Sequence, residues 1–282
     1  MKRIFSVFAA LLFFLPFNTN AQKNAPDGEL KVISYNIRLG SGEDGTNSWA
    51  FRYEASSAMI NDQKPDIFGL QEAFEYQKKY LEETCKGYKA IGVGREDGRH
   101  KGEIMAVFYN KKTVSCKKWG TFWLSETPDK PSKGWDAACY RTATWALMKH
   151  KASGRKFFYV NTHLDHVGEV ARQKGLELIM SRIAEINPEG YPLVLTGDFN
   201  IQSNHPTILA QNKAMTNARE VAPVTDHKGT FNNWGKEKKA RIIDYIYYTG
   251  FSACKRYETI TKPYCGRNFI SDHFPITATL VF

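Results

Sequence analysis

Six times along this 282-residue chain, an apolar run of strand-like composition meets amide, carboxylate or imidazole side chains at its end. Five of these runs are Ile33-Ser34-Tyr35-Asn36, Ile67-Phe68-Gly69-Leu70-Gln71-Glu72, Tyr159-Val160-Asn161-Thr162-His163, Val194-Leu195-Thr196-Gly197-Asp198-Phe199-Asn200 and Ile242-Ile243-Asp244-Tyr245. In the sixth the order is reversed: Asp272-His273 precedes a terminal run in which Phe274, Ile276, Ala278 and Leu280 alternate as one face of a strand. One such ending has a bland explanation, because Asn, Asp and Gly favour turns and so close strands. Six are hard to assign to turns alone, and they require a fold in which strand ends distant in sequence share one place.

The periodicity between these runs supplies such a fold. Leu30 to Ile37 reads as a strand, Trp49 to Gln63 as an amphipathic helix capped by Asn47 or Ser48, Asp66 to Gln71 as a second strand and Phe74 to Cys85 as a second helix. Tyr88 to Val93, Ile104 to Asn110 and Val114 to Trp123 are extended, separated by the polar loop Gly94 to Gly102, and predict an antiparallel meander. Strands at Thr142 to His150 and Lys156 to Thr162, a long helix at Glu169 to Ile186 and a buried strand at Tyr191 to Thr196 then repeat the plan. Two such halves predict an α/β (α+β) chain folded as a four-layer α/β/β/α sandwich, two packed mixed sheets with helices outside. No Pro/Gly/Ser-rich linker divides residues 30–282, which read as a single domain.

Residues 1–21 stand apart from that domain. Lys2 and Arg3 precede the apolar run Ile4 to Phe17 and the small-residue site Thr19-Asn20-Ala21, the pattern of a cleavable signal peptide. Residues 22–29 read as a flexible mature N-terminus, and Gln22 in place of a Cys argues against lipid attachment. The expectation is export, to a periplasm or the medium, after cleavage near Ala21. No other segment approaches the ~20 apolar residues of a membrane-spanning helix. Without Lys2 and Arg3, 37 basic residues face 29 acidic ones, a net charge of +8 that favours an anionic partner but is spread along the chain. The five cysteines show no C-x-x-C spacing and no His at zinc-finger distance, which disfavours a structural zinc site. A Cys254 to Cys265 disulfide is one open pairing, and the odd count leaves at least one thiol free.

The polar ends combine carboxylates and amide oxygens, the donors a hard divalent ion prefers, with two imidazoles. Zinc would recruit more His or Cys, so Mg2+ is the expected ion, with Mn2+ as a substitute. Such an ion polarises a phosphoryl oxygen while a positioned base takes a proton from water, which is phosphoester hydrolysis. The chain has no G-x-x-x-x-G-K-[ST] loop, no H-E-x-x-H and no G-x-S-x-G elbow, so nucleotide-loop, zincin and Ser-nucleophile chemistries are disfavoured.

In this order, Asn36, Gln71-Glu72, Asn161-Thr162-His163, Gly197-Asp198-Phe199-Asn200, Asp244 and Ser271-Asp272-His273 resemble the motifs of the endonuclease/exonuclease/phosphatase, or DNase I-like, superfamily from about residue 30 onward. The resemblance implies Glu72 as principal metal ligand beside Asn36, with Asp272 helping to hold that ion or a second one. It implies that His163 and Asn200 stabilise the phosphoryl oxygens, that Asp198 orients or deprotonates the water, and that Asp244 orients His273, the other candidate base. Ser48-Trp49 with Arg52, Phe122-Trp123-Leu124-Ser125 through Gly134-Trp135-Asp136, and His163-Leu164-Asp165-His166 with Arg172 further resemble a bacterial branch related to nocturnin and carbon-catabolite-repressor type deadenylases. That narrower resemblance implies Arg52, Arg141, His166 and Arg172 as substrate contacts and Trp135 or Phe231 as stacking surfaces, although Arg172 could equally pair with Glu169 on its helix. The implied partner is an anionic phosphoester, whether nucleic acid, nucleotide, sugar phosphate or lipid head group, with no obligate protein partner. The rival is a catalytically silent binding protein on the same fold.

Overall fold

The structure, a computed structural model, describes residues 28–282. The leader expected over residues 1–21 lies outside the described residues, as does the flexible segment expected over 22–29 apart from its last two residues. Glu29 already pairs with Val281 in the first strand.

The first sheet comprises β1 (Glu29–Asn36), β2 (Ile67–Gln71), β3 (Tyr88–Ile91), β4 (Val107–Asn110), β11 (Ala253–Thr259) and β12 (Ile276–Val281), in the order β11-β12-β1-β2-β4-β3. The second comprises β5 (Val114–Trp123), β6 (Thr142–His150), β7 (Lys156–His163), β8 (Leu193–Asp198), β9 (Thr216–Asn217) and β10 (Asp244–Thr249), in the order β5-β6-β7-β8-β10-β9. Each sheet has one parallel pair at its centre, β1 with β2 and β7 with β8, flanked by antiparallel neighbours. The parallel pairs are joined by crossover helices, α1 (Tyr53–Gln63) and α3 (Glu169–Ile186). The halves therefore repeat, as their sequence periodicity predicts. Helices α2 (Glu75–Thr84), α4 (Pro206–Ala214) and α5 (Ala218–Val221) complete the fold.

Alternation along each strand decides what faces the other sheet. Leu30 and Val32 of β1, Ile67 of β2, Phe157 and Tyr159 of β7, Val194 of β8, Ile246 of β10 and Ile276, Ala278 and Leu280 of β12 form the core between the sheets. Their neighbours Ile33, Tyr35, Phe68 and Leu70 turn outward against Met59 and Ile60 of α1. Phe158, Val160 and Leu195 likewise meet Leu176, Ile179 and Ile183 of α3. Each such side chain taken fully out of water contributes about 1.5–3 kcal/mol, which fixes the register, because a one-residue slip would reverse every strand's faces. By the same parity Asn36, His163, Asp198 and Asp244 point inward, at the end where the apolar filling stops.

Between filling and polar end lies a buried clamp across the sheets. Asn161 Nδ2 donates to Leu70 O at 2.7 Å and Ala106 O at 3.1 Å, and Asn161 Oδ1 accepts from Gln71 Nε2 at 2.6 Å and Thr196 Oγ1 at 3.3 Å. Gly69 makes room: a Cβ there would lie 2.4 Å from Asn161 Oδ1.

Three local expectations fail. The meander does not form, because β3 and β4 pair in the first sheet while β5 crosses to the second as its edge strand against β6, with Val114 inserted into the intersheet core. The helix expected from Trp49 begins as a 3-10 turn over Trp49–Phe51 and breaks at Arg52 (φ −129°), so α1 starts at Tyr53, and neither Asn47 nor Ser48 caps it through a side chain. Cys254 is buried and Cys265 exposed, and both are free thiols, so the bridge between them is absent. Among the described residues no helix is long and apolar enough to cross a membrane.

Candidate active site

The polar ends converge because of strand direction. β1 and β2 end together, as do β7 and β8, while β10 and β12 run antiparallel and so begin at the same end. His163 lies beside Asp198 in the β7/β8 register and Asp244 opposite Asp198 in β8/β10. The result is a cleft of about 740 Å³, lined among others by Glu72, His163, Asp198, Asn200, Asp272 and His273.

Asn36 bridges the sheets: its Nδ2 donates to Glu72 Oε1 and to Asp198 Oδ2, each at 3.0 Å. Glu72 Oε2 accepts from Leu39 N at 2.8 Å. Two of the eight expected catalytic or metal-binding residues are left-handed, Glu72 at φ 63° and Asn200 at φ 53°. Such backbone costs on the order of 1–3 kcal/mol and persists where neighbours over-determine it. Leu39 N and Asn36 do so for Glu72; for Asn200, its N donates to Asp198 Oδ1 at 2.9 Å and its Nδ2 reaches Leu164 O at 3.1 Å.

His273 Nδ1 donates to Asp244 Oδ2 at 2.9 Å, which leaves Nε2 facing Asp198 Oδ2 at 3.6 Å. Burial alone would lower the His273 pKa, but the Asp244 and Asp198 carboxylates outweigh it and push it up to about 10. Burial, with Asp244 opposite, raises Asp198 to about 7. His163 is the opposite case: burial, reinforced by Arg141 and Arg95, lowers it well below the usual imidazole range. It is therefore neutral, and its Nε2 takes the Asn200 amide donor at 2.9 Å. Burial also raises Asp272, whose Oδ2 lies 3.7 Å from Arg38 Nη1.

Ligand atoms of Glu72, His163 and Asp198 lie within 4.8 Å of one another. With Asp272 and the Asn36 and Asn200 amides close by, the donor set is rich in hard oxygen, and a bound cation would favour the ionised form of carboxylates that burial raises. These residues fit a divalent cation of the Mg2+ type better than one that favours sulfur and nitrogen.

All eight residues expected to act as catalysts or metal ligands, Asn36, Glu72, His163, Asp198, Asn200, Asp244, Asp272 and His273, are thus brought together. Of the expected substrate contacts, Arg141, His166 and Phe231 line the cleft. Arg141 is buried, with Nε 3.3 Å from Asp165 Oδ2 and Nη2 3.0 Å from His166 Nδ1. Burial alone would raise Asp165, but the Gly168, Ala138 and Val167 backbone N–H groups, aided by Arg141, hold it well below the usual carboxylate range. Phe231 packs edge-on to His273 with ring centroids 5.0 Å apart.

The other three are placed elsewhere. Arg52 is fully buried and spends its guanidinium on Ile37 O and, at 2.8 Å, Arg38 O, which leaves it nothing to offer a substrate. Arg172 Nη1 donates to Asp165 O at 3.2 Å, and neither it nor Trp135 is in the cleft lining. Trp135 sits in a left-handed turn whose N–H faces Glu126. Glu103, Arg38, Trp234, Lys236 and Arg241 line the cleft without having been singled out. Glu103 had a usable signal, since it precedes the run Ile104 to Asn110 as Asp272-His273 precedes the last strand; Arg241 similarly adjoins Ile242-Ile243-Asp244. Burial raises the Glu103 carboxyl, and Arg95 holds it at 2.7 Å.

Comparisons with known proteins identify the family. The sequence profile of the Endonuclease/Exonuclease/phosphatase family matches residues 33–273. A solved mannosyl-6-phosphatase of Bacteroides thetaiotaomicron is 38% identical, with TM-score 0.85, over 90% of this chain and 100% of that one. A 5'-tyrosyl-DNA phosphodiesterase of Caenorhabditis briggsae is 25% identical over 89% of this chain and 69% of its own length. The human nocturnin catalytic domain shares the fold, with TM-score 0.71 at 18% identity over 90% of this chain and 94% of that one. The chain is a phosphoesterase that belongs to the endonuclease/exonuclease/phosphatase family.

Proposed function

We propose that this protein is an exported, Mg2+-dependent phosphomonoesterase that releases phosphate from a small phosphorylated sugar. The observation that carries the reading is a cleft of about 740 Å³ into which the polar strand ends open, a size suited to a small ligand. The likeness to a mannosyl-6-phosphatase supports the same substrate class. The basic residues are scattered along the chain, which does not favour a long nucleic-acid track.

Glu72 and Asn36, with Asp272, would hold the cation. When bound, it polarises a phosphoryl oxygen and offsets developing negative charge. Arg38, Lys236 and Arg241 draw the phosphate dianion into the cleft. Asn200 gives its two amide N–H groups to His163 Nε2 and Leu164 O, so its part is to position neutral His163 at the edge of the cleft. As water forms the new P–O bond Asp198 receives its proton, a role suited to a carboxylate raised toward neutrality, and the P–O bond to the sugar breaks, the released sugar oxygen taking its proton from solvent. His273, oriented by Asp244, stays protonated and faces Asp198 and the phosphoryl group as a fixed cation.

Phosphate release from hexose 6-phosphates, nucleotides, bis(p-nitrophenyl) phosphate and single-stranded RNA, each with Mg2+, Mn2+ or EDTA, tests the reading. Hexose phosphates should be the best substrates and EDTA should abolish turnover. Faster cleavage of RNA than of any monoester would overturn it. Export is supported by Lys2-Arg3 and the apolar run to Phe17. N-terminal sequencing of the protein recovered outside the cytoplasm should begin at Gln22, and an intact Met1 on that fraction would refute cleavage.

A further inference from the structure

One wall of the cleft is the segment from Phe231 to Arg241, which precedes β10 and contributes Phe231, Asn233, Trp234, Lys236 and Arg241 to the lining. Its backbone is unusual: Asn233 and Trp234 are consecutive non-glycine residues in the left-handed region, at φ 47° and 57°. Several bonds enforce that turn. Asn232 Oδ1 accepts from Trp234 N at 2.8 Å, and the N–H groups of Asn232 and Asn233 donate to Asp272 O at 2.8 and 3.0 Å. Asn232 Nδ2 adds a bond to Ser271 O at 3.2 Å. The wall is therefore fastened to the two residues that precede His273. Behind it, Gly235 lies so near Phe269 that a Cβ would meet the ring at 2.7 Å.

The strained turn carries the Trp234 indole into the cleft, half-buried, with the Arg52 guanidinium 5.8 Å from its ring centroid. Arg52 is itself locked by the carbonyls of Asn47, Ile37 and Arg38. The indole is thus a rigid flat surface braced from outside the cleft, a use for Arg52 in place of substrate contact.

We propose that Trp234 determines specificity by stacking on the apolar face of the leaving group, a pyranose ring, while Lys236 and Arg241 hydrogen-bond its hydroxyls. Indole supplies a large apolar face at little cost in conformational freedom, which suits a ring that is apolar on its faces and polar at its rim. The proposal rests on the phosphomonoesterase reading and adds the group that distinguishes one phosphate ester from another.

Trp234→Ala and Trp234→Leu should raise KM for a hexose 6-phosphate about tenfold, the scale of one lost ring-stacking contact. Turnover number should hold, as should kcat/KM for glycerol phosphate, which has no ring, while Trp234→Phe should recover much of the loss. Circular dichroism of the variants checks the fold, and the Leu variant keeps bulk at the site without a flat face. An equal loss on glycerol phosphate would overturn the platform alone. A greater loss on nucleoside 5'-monophosphates than on hexose phosphate would assign the platform to a base and overturn the pyranose. A wild type inert toward every phosphomonoester would instead overturn the activity reading, and the platform with it.

Discussion

Replacing Asn161 by Ala should loosen the two sheets against each other just behind the active site. Asn161 is fully buried and makes three cross-links, to Leu70 O at 2.7 Å, Ala106 O at 3.1 Å and Gln71 Nε2 at 2.6 Å, with a fourth bond inside its own sheet from Thr196 Oγ1 at 3.3 Å. Three of the partners keep a second bond. Ala106 O still accepts from Leu70 N, Gln71 Nε2 still reaches Ser34 Oγ, and Thr196 Oγ1 still reaches Tyr159 Oη. Losing the two short bonds at about 1 kcal/mol each, and leaving Leu70 O without its side-chain donor at about 1–3 kcal/mol, gives a destabilisation of about 3–5 kcal/mol. For a chain of this size that corresponds to a fall in Tm of about 6–20 °C. Activity should fall as well, because Asn161 stands two residues before His163 and Gln71 adjoins Glu72, and an error of about 1 Å in catalytic geometry can cost about a hundredfold in rate. Differential scanning calorimetry and the phosphate-release assay measure both effects. Gly69→Ala should be comparably harmful, since its Cβ would lie 2.4 Å from Asn161 Oδ1, but much less so in the Asn161→Ala background, where that oxygen is gone. A Tm change below about 2 °C for Asn161→Ala, or strict additivity of the pair, would refute the clamp.

Glu72→Gln should abolish Mg2+-dependent turnover, and Mg2+ at about a hundredfold excess over its Kd should stabilise wild type by about 2.7 kcal/mol but not the variant, as read by thermal shift. Asp165 titrates below its unfolded value, so its stabilisation is present above the ordinary carboxylate range and lost as pH falls through the depressed value; urea midpoints of Asp165→Asn should converge on wild type toward acid and fall short of it near neutrality. His273 titrates above its unfolded value of about 6.5, so in protein held in EDTA its contribution is complete below that pH and disappears as pH rises through about 10. The stability deficit of His273→Gln should accordingly shrink between neutral and strongly alkaline pH, and a deficit that grows would contradict the ion pair with Asp244.

The layers and the eight polar residues of the site were legible because both follow from local pattern: strand alternation sets which side chain points inward, and each catalytic group sits within four residues of a strand end. What stayed hidden depended on contacts the local pattern does not record. Whether Val114 to Trp123 stays in the first sheet or crosses to the second is decided by which open edge it meets, not by its own alternation. Arg52 reads as a cation available to phosphate until the carbonyls of Ile37 and Arg38 are seen to surround it. Trp234 was invisible for a related reason: its importance lies in a left-handed turn in a segment without periodicity, fastened to residues almost forty positions away.

The repeated sheet plan explains why the chemistry is scattered over six runs. The first sheet and its flanking loops supply Asn36, Glu72, Asp272 and His273; the second supplies His163, Asp198, Asn200 and Asp244. The bonds that define each group's role cross between them, Asn36 to Asp198 and His273 to Asp244. Neither sheet alone can orient the base or fix the imidazole's tautomer, so the active site is a property of how the two sheets face one another. That arrangement places the Asn161 clamp and the Asn232 anchor to Asp272 in the same role. Each holds one sheet's contribution at the distance where the other sheet's carboxylates can use it, and a change in either should be read in the rate before it is read in the fold.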